Sequence, residues 1–251
     1  VYANRYIIGT QASAWLRIAE SKVYGIRMLY ILSSPITINH SLLLSSFTFF
    51  DYIDWWLDAR RIRLCGVNNL TVWYSNLVDC GIECYSSNGT ISECTFDGSG
   101  IYVSGRSAPV ICNCIIQNVR GGSAIGVDWA SLLIINCTMV DNHGFYGVSG
   151  YVADITMRNC IVVYSGADAI HLRYCNMIME RCRIMNLYDG VYCRGSYVIM
   201  HKCTICDTGG GSRNCHGLYA ERGSHIEARY CNFFHNWHGI YATNDSVVDA
   251  A

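Results

Sequence analysis

Ile155-Thr156-Met157-Arg158-Asn159-Cys160-Ile161-Val162, followed a few residues later by Asp168-Ala169-Ile170-His171-Leu172, is the stretch whose reading decides the fold. The same two-part unit returns at residues 177–184 (MIMERCRI) with Asp189-Gly190-Val191-Tyr192-Cys193. It returns again at residues 198–205 (VIMHKCTI) with His216-Gly217-Leu218-Tyr219-Ala220. A unit recurring at this period is the signature of a solenoid, whose function sits on the surface that stacking creates.

Working outward, two anchors can be followed from about residue 63. One is a cysteine, at Cys94, Cys114, Cys137, Cys160, Cys182, Cys203 and Cys231, recurring every 20 to 28 residues. The other is a small residue followed by an aliphatic one, at Ile82, Ile101, Ile125, Val148, Ile170, Val191, Leu218 and Ile240. The longest interval contains Gly209-Gly210-Gly211-Ser212, which reads as an inserted loop.

Leucine-rich repeats share this period, and Ile155, Met157, Cys160 and Val162 fit their core pattern. The second half of the unit decides against them. A helical back face needs apolar residues at helical spacing. Gly100-Ile101-Tyr102-Val103 and Gly239-Ile240-Tyr241-Ala242 instead alternate with period two, as strands do. Each turn is therefore expected to carry at least two strands and no helix.

The pattern, apolar-x-apolar-x-x-Asn followed by Gly-Ile-x-apolar, resembles the right-handed parallel β-helix of pectate-lyase-like proteins, here over residues 63–248. Cysteine mostly replaces the inward asparagine of those repeats. A small, weakly polar thiol fills such a corner without an amide's hydrogen-bond demands, so seven of the fifteen cysteines are expected to form a reduced, buried ladder. A zinc site needs four convergent ligands, which Cys203-x-x-Cys206 and Cys112-x-Cys114 do not supply; Cys112 and Cys114 are expected to share one strand face. A local Cys206–Cys215 disulfide is the remaining alternative. Residues 1–62 read as irregular N-terminal coils, with an aromatic cluster at Tyr52, Trp55 and Trp56, and residues 63–251 as the regular β-helix of one continuous domain.

Composition narrows the function. With 51% apolar residues over 251, the chain can bury a long core. Eighteen Lys and Arg against 19 Asp and Glu form no basic stripe, so no nucleic-acid partner is expected. No apolar run spans a bilayer and no signal peptide is read, so no membrane partner is expected; Val1 and Ala251 look like cut points in a longer chain. Five short N-x-S/T sequences are explained by chance in a Ser/Asn-rich chain, and Asn136 adjoins a buried anchor, which argues against glycosylation there.

Aligning the coils on the aliphatic anchor generates outward columns. The one two residues before it reads Cys80, Ser99, Ser123, Tyr146, Asp168, Asp189, His216, His238. Carboxylates one rung apart cannot both ionise cheaply, so Asp168 and Asp189 are expected to supply an acid and a base, as glycosidic cleavage requires. His216 would tune the pair. The bland alternative is that short polar side chains here cap turns. The trio is similar to the Asp, Asp and His-Gly positions of polygalacturonases, and that resemblance implies catalysis at Asp168, Asp189 and His216. It departs from the family in having no Asn-Thr before Asp168, one Asp at 189, and Glu221-Arg222-Gly223 in place of Arg-Ile-Lys.

Beyond the anchor, His171, Arg173, Tyr192, Arg194, Tyr219, Glu221 and Tyr241, with His238, make a ribbon of rings and charges expected to contact a glycan. The expectation is an extracellular or virion-surface β-helix, tailspike-like or pectinase-like, that binds polysaccharide without metal or cofactor, with glycosidic cleavage left open as its candidate chemistry. A side-by-side homotrimer is among its expected assemblies. The alternative is a non-enzymatic stalk or adhesin; a lyase is less favoured because no acidic cluster suits calcium.

Overall fold

The computed structural model describes residues 7–8, 16–20, 22–24, 28–32, 36–39, 41–44, 61–186, 188–208 and 215–251. Thirty-two strands and no helix occur among the described residues. They form three parallel sheets, two of eleven strands and one of ten, in which every strand pairs with the strand three places on. The chain is thus a solenoid with three strands per turn. One turn runs through Asp154–Arg158 in the second sheet, Ile161–Ser165 in the third and Ile170–Arg173 in the first, then begins again at Asn176–Glu180.

The sequence calls for at least two strands per turn; the structure has three, the third arising where the opening stretch divides. Asn159 lies between two of the strands at φ 52°, in the left-handed region, and turns the chain within one residue. Asn113 and Asn136 do the same at φ 54° and 53°, where asparagine is the readiest residue after glycine. Their exposed amides form a ladder: Asn136 Nδ2 donates to Asn113 Oδ1 at 3.0 Å and Asn159 Nδ2 to Asn136 Oδ1 at 3.1 Å. Glu93 accepts from Asn113 at one end, and Arg181 donates to Asn159 at the other. The corner also corrects the reading of Cys112 and Cys114. Cys112 ends a strand of the second sheet, and Cys114 is buried beyond the Asn113 turn.

The anchor register holds throughout. Ile82, Ile101, Ile125, Val148, Ile170, Val191, Leu218 and Ile240 are successive backbone partners in the first sheet. All but Ile240, in the last described coil, are buried, each apolar side chain contributing about 1.5–3 kcal/mol of hydrophobic stabilisation. The small residue before the anchor is required by close approach of the next coil: a Cβ on Gly190 would stand 2.6 Å from the Gly217 carbonyl oxygen.

The cysteine ladder precedes the last seven strands of the third sheet, from Thr95–Asp97 to Asn232–Phe234. The six cysteines from Cys94 to Cys203 are buried free thiols, and Cys231 is partly exposed at the end. Cys160 Sγ donates to the Arg158 carbonyl at 3.2 Å, and Cys137 Sγ to that of Ile135 at 3.2 Å. Hydrogen bonding to Cys137, partly offset by Cys182, together with burial pushes the Cys160 thiol up to about 12. Cys206 is also a free thiol, so the Cys206–Cys215 bridge is not formed.

In residues 1–62, Ile7–Ile8, Leu16–Ala19, Lys22–Tyr24, Met28–Leu32, Ile36–Asn39 and Leu42–Leu44 join the same three sheets. The cluster of Tyr52, Trp55 and Trp56 and the Gly209–Ser212 insertion lie outside the described residues.

Candidate functional site

The outward column expected to carry chemistry lies where the third sheet's corner leads into the first sheet. Backbone bonds fix its register: Ala169 N–H donates to the Asp189 carbonyl at 2.9 Å and Gly190 N–H to the His216 carbonyl at 2.9 Å. Asp168, Asp189 and His216 therefore follow one another on three successive coils.

The two aspartates do not meet as a bare carboxylate pair; each has its own histidine. Asp168 Oδ2 is 2.7 Å from His171 Nδ1, within one coil. Arg173 Nε donates to His171 Nε2 at 3.0 Å. A guanidinium has only protons to give, so His171 Nε2 is the acceptor and Nδ1 carries the proton that it donates to Asp168. Both ring nitrogens are thereby committed. Asp189 Oδ1 instead reaches across coils, accepting the His216 backbone N–H at 2.6 Å and lying 3.0 Å from His216 Nδ1. His216 Nε2 has no hydrogen-bond partner among the described residues. Burial first, and the charge of Asp168 as well, raise the Asp189 carboxyl above the ordinary carboxylate value, against the lowering effect of its bonds to His216.

Asn186 was not singled out by sequence reasoning, yet it holds both aspartate segments. Fully buried, its Nδ2 donates to the Ala167 carbonyl at 2.6 Å and to the Asp189 carbonyl at 3.2 Å, while Oδ1 accepts from Ser165 N–H at 2.8 Å. The available signal was a recurring polar residue after the third strand, at Asn142, Ser165, Asn186, Thr208 and Asn236.

The ribbon residues fall where the columns place them, but their rings mostly face one another. His171 is sandwiched between Tyr146 at 4.3 Å and Tyr192 at 4.5 Å, both stacked. Those ring faces are therefore occupied within the protein, and the edges remain for a ligand. His216 stacks on His238 at 5.2 Å and lies 5.0 Å from Tyr241 and 4.9 Å from Tyr219. Glu221 gathers the other end of the ribbon. It accepts from Tyr192 OH at 2.6 Å and Tyr219 OH at 3.4 Å, and lies 3.6 Å from Arg194 Nε. Burial, then Glu221, raises the Tyr192 phenol.

Arg173 and Arg194 are direct partners in the register. Their repulsion is relieved separately, Arg173 by the His171–Asp168 pair and Arg194 by Glu221. The Arg194 Nε is buried with no hydrogen bond. No cluster of three or more His, Cys, Asp or Glu suited to a metal ion occurs among the described residues.

The arrangement raises one buried carboxyl above its ordinary value beside a second that a histidine holds, orients a histidine with an open nitrogen, and presents two guanidinium groups to an anionic ligand.

Comparisons with known proteins bear on the scaffold. The crystal structure of a mutant of the periplasmic alginate epimerase AlgG superposes with a TM-score of 0.69, covering 100% of this chain and 77% of that chain at 12% sequence identity, a likeness of fold. No curated protein matches the sequence. The family model for the right-handed beta helix region matches residues 58–171 and 123–249, together well over half of the chain. With the three stacked parallel sheets, that match makes the chain a member of the right-handed β-helix family.

Proposed function

We propose that the protein binds a polysaccharide along its first sheet and cleaves a glycosidic bond at Asp168, Asp189 and His216. The observation that carries this reading is the Asp189–His216 contact, two hydrogen bonds onto one carboxylate oxygen. They fix Asp189 while burial and the neighbouring Asp168 favour its protonated form. A carboxylic acid kept neutral near its working pH is what a leaving glycosidic oxygen needs. Asp168, held by the neutral His171 and charge-balanced through it by Arg173, serves as the carboxylate partner. His171, Arg173, Tyr192, Arg194, Tyr219, Glu221, His238 and Tyr241 line the approach, and the two arginines favour an acidic saccharide.

A second reading is supported by His216 Nε2, which no described residue engages. An imidazole oriented through Nδ1 by a buried carboxylate is built to take a proton at Nε2. Beside two guanidinium groups it would remove a proton next to a sugar carboxylate, and the fold likeness to an alginate epimerase favours a uronate as the substrate to try.

Incubation with alginate, polygalacturonate and neutral polysaccharides separates the readings. Hydrolysis releases reducing ends without ultraviolet-absorbing products, elimination releases unsaturated ends, and epimerisation changes the polymer's NMR spectrum without shortening it. Asp168→Asn, Asp189→Asn and His216→Ala should each abolish the reaction. Binding without any product would favour a non-enzymatic, glycan-binding stalk.

A further inference from the structure

A second row of aromatic residues runs along the corner between the first and second sheets, away from the Asp–His pairs. It comprises Tyr85, Trp129, Tyr151 and Tyr174, all exposed, Trp129 by 60%. The residue leaving the first sheet adopts positive φ in successive coils: Gly105 at 64°, Trp129 at 53°, Val152 at 50°, Tyr174 at 57°, Gly195 at 58°. Glycine meets that requirement at two of these positions. At two others the strained conformation is occupied by a large aromatic side chain that buries little of itself, so packing does not account for the choice.

The glycines complete the row. The Tyr85 ring lies against Gly105, where a Cβ would come within 2.7 Å of Cε2, and the Tyr174 ring against Gly195, where a Cβ would come within 2.9 Å of Cδ1. Tyr151 stands edge-on between Trp129 and Tyr174, with centroids at 6.0 and 6.2 Å. From the coil of Tyr85 to that of Gly195, every coil thus presents or supports a ring. Six coils at the inter-strand spacing make a strip roughly 25 Å long. Backbone bonds hold it: Trp129 N–H donates to the Tyr151 carbonyl at 3.0 Å and Tyr174 N–H to the Arg194 carbonyl at 2.9 Å. Its rings are therefore positioned before any ligand arrives.

The charges beside the strip are balanced, and all but Arg106 are already engaged. Asp128 accepts from Tyr102 OH, Asp154 from Asn176 Nδ2 at 2.8 Å, and Arg173 is bound to His171. Arg194, before Gly195, lies 3.6 Å from Glu221, and with the exposed Arg106 the count is three acids and three bases. A ligand recognised here is selected by apolar faces rather than by charge, and it must be long and repetitive to use successive rings. The pyranose backbone of a polysaccharide meets both conditions, each sugar offering a C–H face to a ring and its hydroxyls to solvent. The strip also borders the arginine end of the candidate site, since Tyr174 follows Arg173 directly.

We infer that Tyr85, Trp129, Tyr151 and Tyr174 form an accessory glycan-binding strip that holds the polymer outside the reacting site. This rests on the proposed polysaccharide function, and one experiment separates their failures. Native gels cast with alginate, polygalacturonate, xylan, galactomannan or hydroxyethylcellulose are run with the wild type, Trp129→Ala/Tyr174→Ala and His216→Ala, and product release is assayed in parallel. The expected result is retardation by at least one polymer, weakened about tenfold in the aromatic double variant at low and high salt alike. His216→Ala, which leaves all four strip rings in place, should still be retarded where the wild type is, and the double variant should retain turnover of short oligosaccharides. Wild-type mobility unchanged in all five gels, or equal retardation of the double variant, overturns the strip. Strip-dependent retardation without product overturns the proposed chemistry and leaves the strip standing.

Discussion

The cysteine ladder makes a quantitative prediction about reactivity. Hydrogen bonding to the preceding ladder thiol, and burial, push Cys137, Cys160 and Cys182 each up to about 12. At pH 8 such a thiol is about 10⁻⁴ ionised, whereas an ordinary thiol near 8.5 is about one quarter ionised. That lowers the thiolate population by roughly three orders of magnitude. The more basic thiolate is intrinsically more nucleophilic, which returns about half of the difference on a logarithmic scale. Ionisation alone therefore slows alkylation by roughly 50- to 100-fold relative to the unfolded chain, and near-complete burial slows it further. A short iodoacetamide pulse in native buffer and in urea, read peptide by peptide by mass spectrometry, measures the ratio. The partly exposed Cys65 and Cys112 should label first in the native protein. Native rates for Cys137, Cys160 and Cys182 within tenfold of the unfolded rates, or their recovery as disulfides, would refute the reduced, buried ladder.

Other positions make separate demands. Asn186→Ala removes all three bonds holding the Ala167, Asp189 and Ser165 backbones and leaves buried polar groups unpaired, so denaturant titration should show a loss of about 2–4 kcal/mol. Gly190→Ala forces a Cβ against the Gly217 carbonyl and Ile205, and should lower the thermal midpoint by several degrees. Asp189 contributes a pH dependence whose sign follows from its raised carboxyl. Above the unfolded value of 3.8 the folded chain holds the proton more tightly, so the contribution present at low pH is lost as pH rises through the folded value. Stability measured from about pH 4 to pH 7 should therefore fall less steeply in Asp189→Asn than in the wild type; parallel curves would contradict the burial argument.

The repeat was legible because the aliphatic anchors from Ile82 to Ile240 need the same small neighbour in every coil, and that constraint leaves a mark on the sequence. The third strand was hidden because its corner residue is not one residue type. Asn113, Asn136 and Asn159 give way to Arg181, Lys202 and Tyr230 at the same left-handed turn, so Ile155 to Val162 reads as one segment. For the candidate site, the column of Asp168, Asp189 and His216 could be aligned from the anchors alone. The pairing of Asp168 with His171, and of Asp189 with His216 across coils, depends on side-chain directions that spacing does not carry. The faces of Tyr146, His171 and Tyr192 likewise turn toward each other because stacked coils bring them within 4.5 Å.

The most direct test of the account is the turnover ratio of wild type to Asp189→Asn on whichever polysaccharide the wild type converts. The amide keeps an oxygen where His216 N–H and Nδ1 now bond, so the fold and glycan binding should survive, while the proton and the charge are lost. The account predicts a fall in kcat of at least about 100-fold with KM little changed. Equal turnover by the two proteins would contradict it.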